Sequence, residues 1–215
     1  TNLGSSTHTV GTWSSNRTVR VLWTAASDAH SGLAGYDTRS DSAAGTVLTG
    51  SIDTGATVTS KTTTLPGGSW YFHIAARDTA GNYGATRHIG PFRLDGSNPS
   101  GPTGLNSPSH TPGAWSNLTN VQIAWTAATD PQSGLNGYDT AWNTSATTVL
   151  AGTVDTGPSV TSASRSFGSG TAGIYFHIAA RDNAGNYGAT RHIGPFSIDT
   201  ARPSATISID GGNVS

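Results

Sequence analysis

The sequence contains no cysteine and no methionine among its 215 residues, and only 11% of its residues are charged. Without cysteine the chain has neither a disulfide framework nor thiol chemistry. Its formal net charge is −1, and no cluster of Lys or Arg indicates a nucleic-acid partner. No apolar run approaches the roughly 20 residues that a membrane-spanning helix requires. We therefore expect no nucleic-acid partner and no membrane span.

The sequence also lacks an amphipathic helical period and the short motifs that accompany catalysis. It contains neither a G-x-S-x-G elbow nor an H-E-x-x-H pair. No signal peptide is visible, so we expect a mature form or a piece of a longer protein. Gly, Ser and Thr are abundant, which is typical of β-rich extracellular modules. The sequence predicts that the chain is not an enzyme.

What the chain does contain is one long stretch that occurs twice. Residues 71–92 and 175–196 are identical at all but one position, where Thr79 in the first copy is Asn183 in the second. Residues 8–14 also match the stretch that lies 102 positions later. An internal repeat of this length indicates two copies of one folding unit.

Each copy is predicted to be an all-β immunoglobulin-like sandwich. Phe72 and Ile74 alternate with Tyr71 and His73, and this period of two indicates a strand with one buried face and one outward face. We expect about seven short strands per copy, the number in an immunoglobulin-like sandwich. Two further short strands are predicted at residues 46–48 and 148–150. Pro91 predicts that the last strand of the first copy is an edge strand or is bulged there.

The repeat also predicts the domain boundaries. The first sandwich is predicted over residues 1–97 and the second over 105–201, with a Pro/Gly-rich linker at 98–104. Residues 202–215 are predicted to be a further linker or the start of a third repeat.

Three motifs in each copy resemble a known class of repeat. They are W-T-A-A-x-D-x-x-S-G-L-x-G-Y-D, then A-R-D-x-A-G-N, then an Asp followed four residues later by Pro. The chain thereby resembles the tandem Ig-like and fibronectin-type-III-like repeats of secreted and cell-surface bacterial proteins, including large adhesins. That resemblance implies a secreted or surface location and calcium ions near the junctions between domains.

Acidic side chains are predicted to gather at the ends of the two sandwiches. The loop after the second strand and the loop before the last strand lie at the same end of this fold, and the last strand of the first sandwich leads to the junction. Oxygen ligands that converge there from two domains suit Ca²⁺, the one cofactor that the sequence suggests. The predicted ligands are Asp28, Asp78, Asn82, Asp95, Asp130, Asp182, Asn186 and Asp199.

Simpler interpretations of these residues stay open. Asp and Asn also close turns through their own side chains, and no contiguous calcium loop is present. Outward histidines could bind zinc or sugar, or make only cross-strand hydrogen bonds. Exposed tryptophans could stack on a sugar, or be ordinary surface residues. These weaker candidates for ligand binding are His73, His177, Trp13, Trp115 and Trp142.

The first functional hypothesis is a non-catalytic module that spaces, stiffens or presents a neighbouring domain of a larger extracellular protein. Its expected partners are the neighbouring domains of the same polypeptide and either a glycan or further copies of the module, since an exposed edge strand can pair with another chain. The alternative is a carbohydrate-binding accessory module of a secreted hydrolase.

Overall fold

The computed structural model of the protein describes residues 2–205, which contain strands and turns but no helix. None of these residues belongs to a helix that is long and apolar enough to cross a membrane. The strands are β1 (Leu3–Ser5), β2 (Trp13–Ser14), β3 (Thr18–Trp23), β4 (Leu33–Asp41), β5 (Thr54–Gly55), β6 (Ser60–Thr64), β7 (Gly68–Asp78), β8 (Arg87–Leu94), β9 (Thr103–Asn106), β10 (Trp115–Ser116), β11 (Asn120–Thr126), β12 (Leu135–Asn143), β13 (Ser162–Ser166), β14 (Ile174–Asp182) and β15 (Arg191–Ile198).

The strands form two sandwiches, which we call domain 1 (β1–β8) and domain 2 (β9–β15). In domain 1 a sheet of order β1-β3-β6 faces one of order β2-β8-β7-β4-β5. In domain 2 the corresponding orders are β9-β11-β13 and β10-β15-β14-β12. All pairings are antiparallel except the short β2–β8 and β10–β15 contacts, which are parallel. This confirms the predicted all-β, tandem immunoglobulin-like and fibronectin-III-like architecture.

Each domain has its own core, built from the alternating positions of its strands. Along β3, Val19, Val21 and Trp23 are buried while the residues between them are exposed. Trp23 stacks on Phe72 of the facing sheet with ring centroids 6.0 Å apart. The equivalent pair in domain 2, Trp125 and Phe176, has the same separation. Such aromatic side chains bury large apolar areas and hold the two sheets together.

The second face of the larger sheet is also covered, which the period of two in β7 did not predict. Residues 42–53 pass over this face without forming a strand, so the predicted strand at 46–48 is wrong. Leu48 is buried there, and its backbone N–H donates to the Thr86 hydroxyl (3.0 Å) instead of to a neighbouring strand. The strand predicted at 148–150 is wrong for the same reason, since Leu150 donates to Thr190.

The proline in β8 marks an irregular point in the sheet, as predicted. Trp70 of β7 lies opposite Phe92, but two residues later Phe72 lies opposite Ile89, so the register shifts where Pro91 intervenes. Proline cannot donate a ladder hydrogen bond, and a bulge accommodates that loss.

The predicted boundaries of the domains stay predictions. β9 begins at Thr103, within the segment 98–104 that the sequence indicates as linker. Residues 206–215, including part of the predicted start of a third repeat, lie outside the described residues.

Candidate metal site at the domain junction

The end of β8 is held directly by side chains of domain 2. The carbonyl oxygen of Leu94 accepts a hydrogen bond from the Gln132 side-chain amide (2.8 Å). The carbonyl oxygen of Asp95 accepts one from the Asn186 side-chain amide (2.8 Å). Two consecutive backbone acceptors at the end of domain 1 are therefore satisfied by loops of domain 2, which is what fixes Asp95 at the junction.

The chain that follows Asp95 lies against domain 2 as well. The N–H of Ser100 donates to the Thr129 carbonyl (2.9 Å), and the hydroxyls of these residues lie 3.3 Å apart. A further bond joins the domains directly, from the Ser15 N–H to the Ala184 carbonyl (3.2 Å). The segment 94–101 is thus docked on the end of domain 2 rather than extended freely between the domains.

Three carboxylates from the two domains meet under this segment. Asp95, Asp130 and Asp182 each place a carboxylate oxygen within 4.8 Å of the other two. Asp95 and Asp182 are almost completely buried, with exposed fractions of 0% and 1%. Within residues 2–205, none of the three forms an ion pair with a basic side chain. We call Asp95, Asp130 and Asp182 the junction triad.

The hydrogen bonds of the triad orient its carboxylates and leave one oxygen unused. One oxygen of Asp130, Oδ2, accepts from the N–H groups of Ser133 (2.8 Å) and Gly134 (2.6 Å). Its other oxygen, Oδ1, is inaccessible to solvent and has no hydrogen-bond partner. Asp95 accepts from the same Ser133 N–H (3.1 Å). A buried carboxylate oxygen without a partner is costly unless a cation or proton meets it.

Asn186 joins the triad through the turn that it closes. Its backbone N–H and side-chain amide donate to the two oxygens of Asp182 at 2.8 Å and 2.7 Å. The same amide group donates to the Asp95 carbonyl, so Asn186 ties the turn to the preceding domain. The four residues that the sequence assigned to the junction, Asp95, Asp130, Asp182 and Asn186, are therefore brought together.

A hard divalent cation is the ligand whose chemistry fits this arrangement. Two unit charges 4 Å apart interact by about 4 kcal/mol at an effective dielectric constant of about 20, so ionised carboxylates whose oxygens lie within 4.8 Å of one another repel strongly. Ca²⁺ takes oxygen ligands at 2.3–2.6 Å in flexible geometry, so one ion can bind carboxylates whose oxygens lie within 4.8 Å of one another. Soft or nitrogen ligands, which zinc prefers, are absent from the triad.

The corresponding end of domain 1, which we call the free pole, carries the same side chains but no third carboxylate among residues 2–205. Oδ2 of Asp28 accepts from the N–H groups of Ser31 (2.8 Å) and Gly32 (2.9 Å), as Asp130 does in its own loop. The two oxygens of Asp78 accept from the Asn82 N–H and side-chain amide, each at 2.8 Å. This geometry alone is that of two turns closed by their side chains.

Both carboxylates of the free pole are stabilised in their charged form. Hydrogen bonds from the N–H groups of Gly32 and His30 lower the pKa of Asp28 below its usual value. The side-chain amide of Asn82, followed by its backbone N–H, lowers the pKa of Asp78. Hydrogen bonds to the ionised form are the cause in each case, so the free pole is anionic at neutral pH.

The last of the predicted ligands lies at the far end of domain 2. Asp199 follows β15 as Asp95 follows β8, and their N–H groups donate to Ser116 and Ser14 respectively, each at 2.9 Å. Asp199 is exposed, and its Oδ1 accepts from the Ala201 N–H (2.9 Å). It is therefore placed like Asp95 but has no second acidic loop against it within the described residues.

The histidines predicted to point outward are instead buried, so that expectation is wrong. His73 and His177 both have an exposed fraction of 0%, because the segments after β4 and β12 cover this face of the sheet. Nδ1 of His73 is hydrogen-bonded to Nδ1 of His88 (2.7 Å), and Nε2 to Asp41 (3.1 Å). Both nitrogens of His73 are thus used within the protein, which opposes a role in binding zinc or sugar.

The two histidine pairs differ in one acceptor. Asp41 in domain 1 is replaced by Asn143, whose Oδ1 lies 3.0 Å from Nε2 of His177. Burial, and then the nearby His192 ring, lower the pKa of His177. Burial acts to raise the pKa of Asp41, but hydrogen bonds from Thr46, from the Ala43 N–H and from His73 outweigh it and lower that pKa overall.

The three candidate tryptophans do not form a platform. Trp142 packs on Phe176 and Phe167 at the edge of the domain 2 core. Trp13 is half-buried, and only Trp115 is largely exposed, at 62%. No two of these rings pack on each other in the part of the chain that the structure describes, so the predicted stacking surface for a sugar lacks support.

Sequence reasoning missed two uncharged residues that clamp the junction, Gln132 and Ser133. Gln132 replaces the His30 of domain 1, and this substitution within the repeat is the only signal that could have indicated an added role. Ser133, whose N–H bonds two carboxylates of the triad, is Ser31 in domain 1 and gives no such signal. A contact between domains depends on the neighbour's position, which one repeat does not encode.

Comparison with known proteins gives three similarities. The chain is 31% identical over 177 residues to chitinase A1 from Niallia circulans, a match that covers 80% of this chain and 22% of that protein. It superposes on the fibronectin(III)-like modules of CbhA from Clostridium thermocellum with a TM-score of 0.48 and 12% identity, covering 97% of this chain and all of that one. Against the FN1-FN3 domains of chicken CNTN1 the TM-score is 0.41 with 16% identity, covering 86% and 64%.

No protein-family profile matches the chain. The chain spans about a fifth of the length of the chitinase to which it is similar. Each domain is a sandwich of two β-sheets, as the resemblance to fibronectin-III-like repeats implies, so the predicted resemblance holds for the fold.

Proposed function

We propose that the chain is a non-catalytic spacer of a secreted or cell-surface protein, in which Ca²⁺ at the junction triad locks the two sandwiches into one rigid unit. The observation that carries this proposal is the convergence of three carboxylates from both domains without a basic partner among residues 2–205. The neighbouring domains of the same polypeptide are the partners whose separation and orientation the spacer would set.

The physical reason for the coupling is that neither domain has the complete site. Asp95 belongs to domain 1, whereas Asp130 and Asp182 belong to domain 2. An ion that binds only the docked arrangement stabilises it by mass action, in proportion to the logarithm of its concentration over Kd. Without the ion, repulsion within the triad opposes docking, and the domains are expected to separate more readily.

Substitution of Asp130 by asparagine tests the proposal with a matched control in the same chain. Asp130→Asn keeps an oxygen for the bonds from Ser133 and Gly134, but replaces the unpartnered Oδ1 by an amide group. We expect the melting temperature to fall in excess Ca²⁺ and to stay equal or rise in EDTA, because one of three repelling charges is gone. The control Asp28→Asn changes the equivalent loop of domain 1 and, at a dilution where copies remain separate, should behave alike in both conditions.

Differential scanning calorimetry of the two variants and the unmodified chain provides the measurement. An equal loss for Asp130→Asn in Ca²⁺ and in EDTA would assign Asp130 to its turn alone and would refute the metal proposal. Small-angle scattering of the unmodified chain adds a second readout. If the ion stiffens the junction, the two domains sample fewer relative orientations. The maximum dimension of the molecule should then be more sharply defined in Ca²⁺ than in EDTA.

A second candidate function is an accessory module of a polysaccharide hydrolase. The specific observation that favours it is the 31% identity to a segment of a chitinase. A sedimentation assay with insoluble chitin and cellulose would test it, with Trp115→Ala as the variant because Trp115 is the most exposed tryptophan of the described residues. Binding that this substitution abolishes would support the accessory module. Absence of binding to either polymer would leave the spacer as the proposed function.

A further inference from the structure

The end of domain 2 is covered by residues 94–101, whereas no segment among residues 2–205 covers the same surface of domain 1. Two cavities of about 240 Å³ each lie at the free pole. One is lined by Asp28, Asp78 and Asn82, and the other includes Gly84 and Arg87. Their counterparts in domain 2 are the residues on which Asp95 and the chain after it are docked. The junction therefore provides a template, within the same chain, for an occupant of the free pole.

The glycine after the Asn-Tyr pair shows how closely the two surfaces correspond. A Cβ atom at Gly188 would lie 2.8 Å from the Pro99 carbonyl oxygen, so the docked segment needs glycine there. Domain 1 keeps glycine at the equivalent position, Gly84, although a Cβ there would come no nearer than 3.7 Å to any atom, the nearest being Ala76 of the same domain. Space for a docked backbone is thus present at both poles and filled at one.

The chain contains a second segment with the sequence features of the docked one. Asp199, Pro203 and Ser204 stand at the positions of Asp95, Pro99 and Ser100. Asp199 leaves β15 with the same backbone bond that Asp95 makes on leaving β8, but it is exposed. Domain 2 therefore presents, at its far end, the carboxylate and the proline-containing segment that the free pole of another copy lacks.

We propose that the free pole of domain 1 binds residues 199–204 of a second copy of this chain, so that copies join head to tail. The incoming Asp199 would stand beside Asp28 and Asp78 as Asp95 stands beside Asp130 and Asp182. The proposal rests on the proposed function in one respect, because the third carboxylate would complete the same kind of cation site. Such a heterologous contact generates a ring if the rotation between successive copies closes and a linear assembly if it does not.

Two differences make this contact weaker than the junction. His30 stands at the position of Gln132, whose amide holds the carbonyl of Leu94. Ala205 stands at the position of Gly101, where a Cβ would lie 3.0 Å from Nε of Arg191, so the equivalent Arg87 must move aside. Docking between separate copies also lacks the high effective concentration that the covalent linker provides within one chain.

Disulfide trapping tests the contact cleanly, because the chain has no cysteine of its own. In the junction the hydroxyls of Ser100 and Thr129 lie 3.3 Å apart. Their counterparts in a head-to-tail contact are Ser204 and Ser27. We would mix a Ser27→Cys chain with a Ser204→Cys chain in Ca²⁺ under mild oxidation and follow the mixed dimer on non-reducing gels. The collision control pairs Ser204→Cys with Ser42→Cys, a serine that is exposed in a turn after β4.

The Ser27–Ser204 pair should cross-link at least about tenfold faster than the control pair, equivalent to about 1.4 kcal/mol. Adding Asp199→Asn to the Ser204→Cys chain should return the rate to that of the control. Equal rates for the two pairs would overturn the proposal, as would faster formation of Ser27–Ser27 dimers. The intrachain pair Ser100→Cys with Thr129→Cys distinguishes docking within the chain from docking between copies. If this pair forms its disulfide rapidly while the intermolecular pair does not, docking between copies is refuted and docking at the junction is supported.

Discussion

The two acidic poles of this molecule have nearly the same side chains in very different surroundings. At the junction, Asp130 and Asp182 face a third carboxylate, Asp95, and are covered by the linker. At the free pole, Asp28 and Asp78 make the same turn bonds but line a cavity that no other described residue fills. The turn interpretation therefore describes the geometry of the free pole, whereas within one chain the metal interpretation is a proposal for the junction alone.

The comparison shows that each repeat provides two carboxylates at one pole and that at the junction the neighbouring domain adds a third. A carboxylate such as Asp28 contributes locally by accepting N–H bonds of its loop, which any isolated copy can satisfy. In the proposed function, the acidic strand end of the neighbouring domain converts that loop into a set of ligands. Coupling between the domains would then follow from shared ligands rather than from a large apolar interface.

The largest expected effect comes from removing the carboxylate that the neighbour supplies. Asp95→Ala should lower the free energy of unfolding by about 3 kcal/mol in excess Ca²⁺, because a buried charged group loses its hydrogen bonds and its ion. Asp199→Ala, at the exposed equivalent position, should change it by no more than about 0.5 kcal/mol. Urea denaturation followed by tryptophan fluorescence measures both.

Repeating the same pair of variants in EDTA sharpens this comparison. There Asp95→Ala also removes repulsion from the triad, so the loss should shrink markedly. A loss of the same size with and without Ca²⁺ would mean that Asp95 acts only through its bonds to Ser97 and Ser133.

A smaller effect is expected for the uncharged clamp. Gln132→Ala removes the bond to the Leu94 carbonyl and should cost about 1 kcal/mol, the usual net value of one hydrogen bond. His30→Ala, in the exposed loop of domain 1, should be close to neutral. Thermal unfolding by calorimetry is the readout. The melting temperatures of the two domains should also lie further apart in the Gln132 variant than in the unmodified chain. Equal costs for the two variants would contradict the assignment of Gln132 as a clamp.

The smallest effect concerns the buried histidine pairs and their dependence on pH. The pKa of His177 is lowered in the folded state, so the unfolded chain binds its proton more readily. The stability that depends on a neutral His177 is fully present above the pKa of the unfolded chain, about 6.5. It is lost as the pH falls through the lower pKa of the folded state. Asn143→Asp gives His177 the carboxylate partner that His73 has in Asp41, and should reduce this loss.

Melting temperatures between about pH 5 and pH 7.5 test the histidine prediction. Asp41→Asn is the reciprocal variant in domain 1 and should make the stability more sensitive to acid. A pH profile that Asn143→Asp leaves unchanged would show that the acceptor at this position does not control the titration.

Much of the fold follows from the sequence because the governing signals are local. The alternation around Phe72 and Ile74 specified β7, and the duplication specified that β14 would be the same. The convergence of Asp95, Asp130 and Asp182 followed from which strand ends share a pole in a sandwich. These inferences needed only chain direction and strand order.

The parts that were missed depend on contacts between distant segments. The covering of His73 depends on residues 42–53, whose mixed sequence gives no sustained period and whose position is set by single contacts such as Leu48 with Thr86. The role of Gln132 depends on the orientation of two domains. No spacing within one copy of the repeat contains that information.

Isothermal titration of the unmodified chain with Ca²⁺, at a dilution where copies remain separate, tests the central claim most directly. The account predicts one ion per chain, retained in Asp28→Asn and lost in Asp130→Asn. Two equivalent ions per chain would show that a pole binds calcium without its neighbour. No binding would show that the junction triad is held together without a metal, and either result would contradict a site shared between domains.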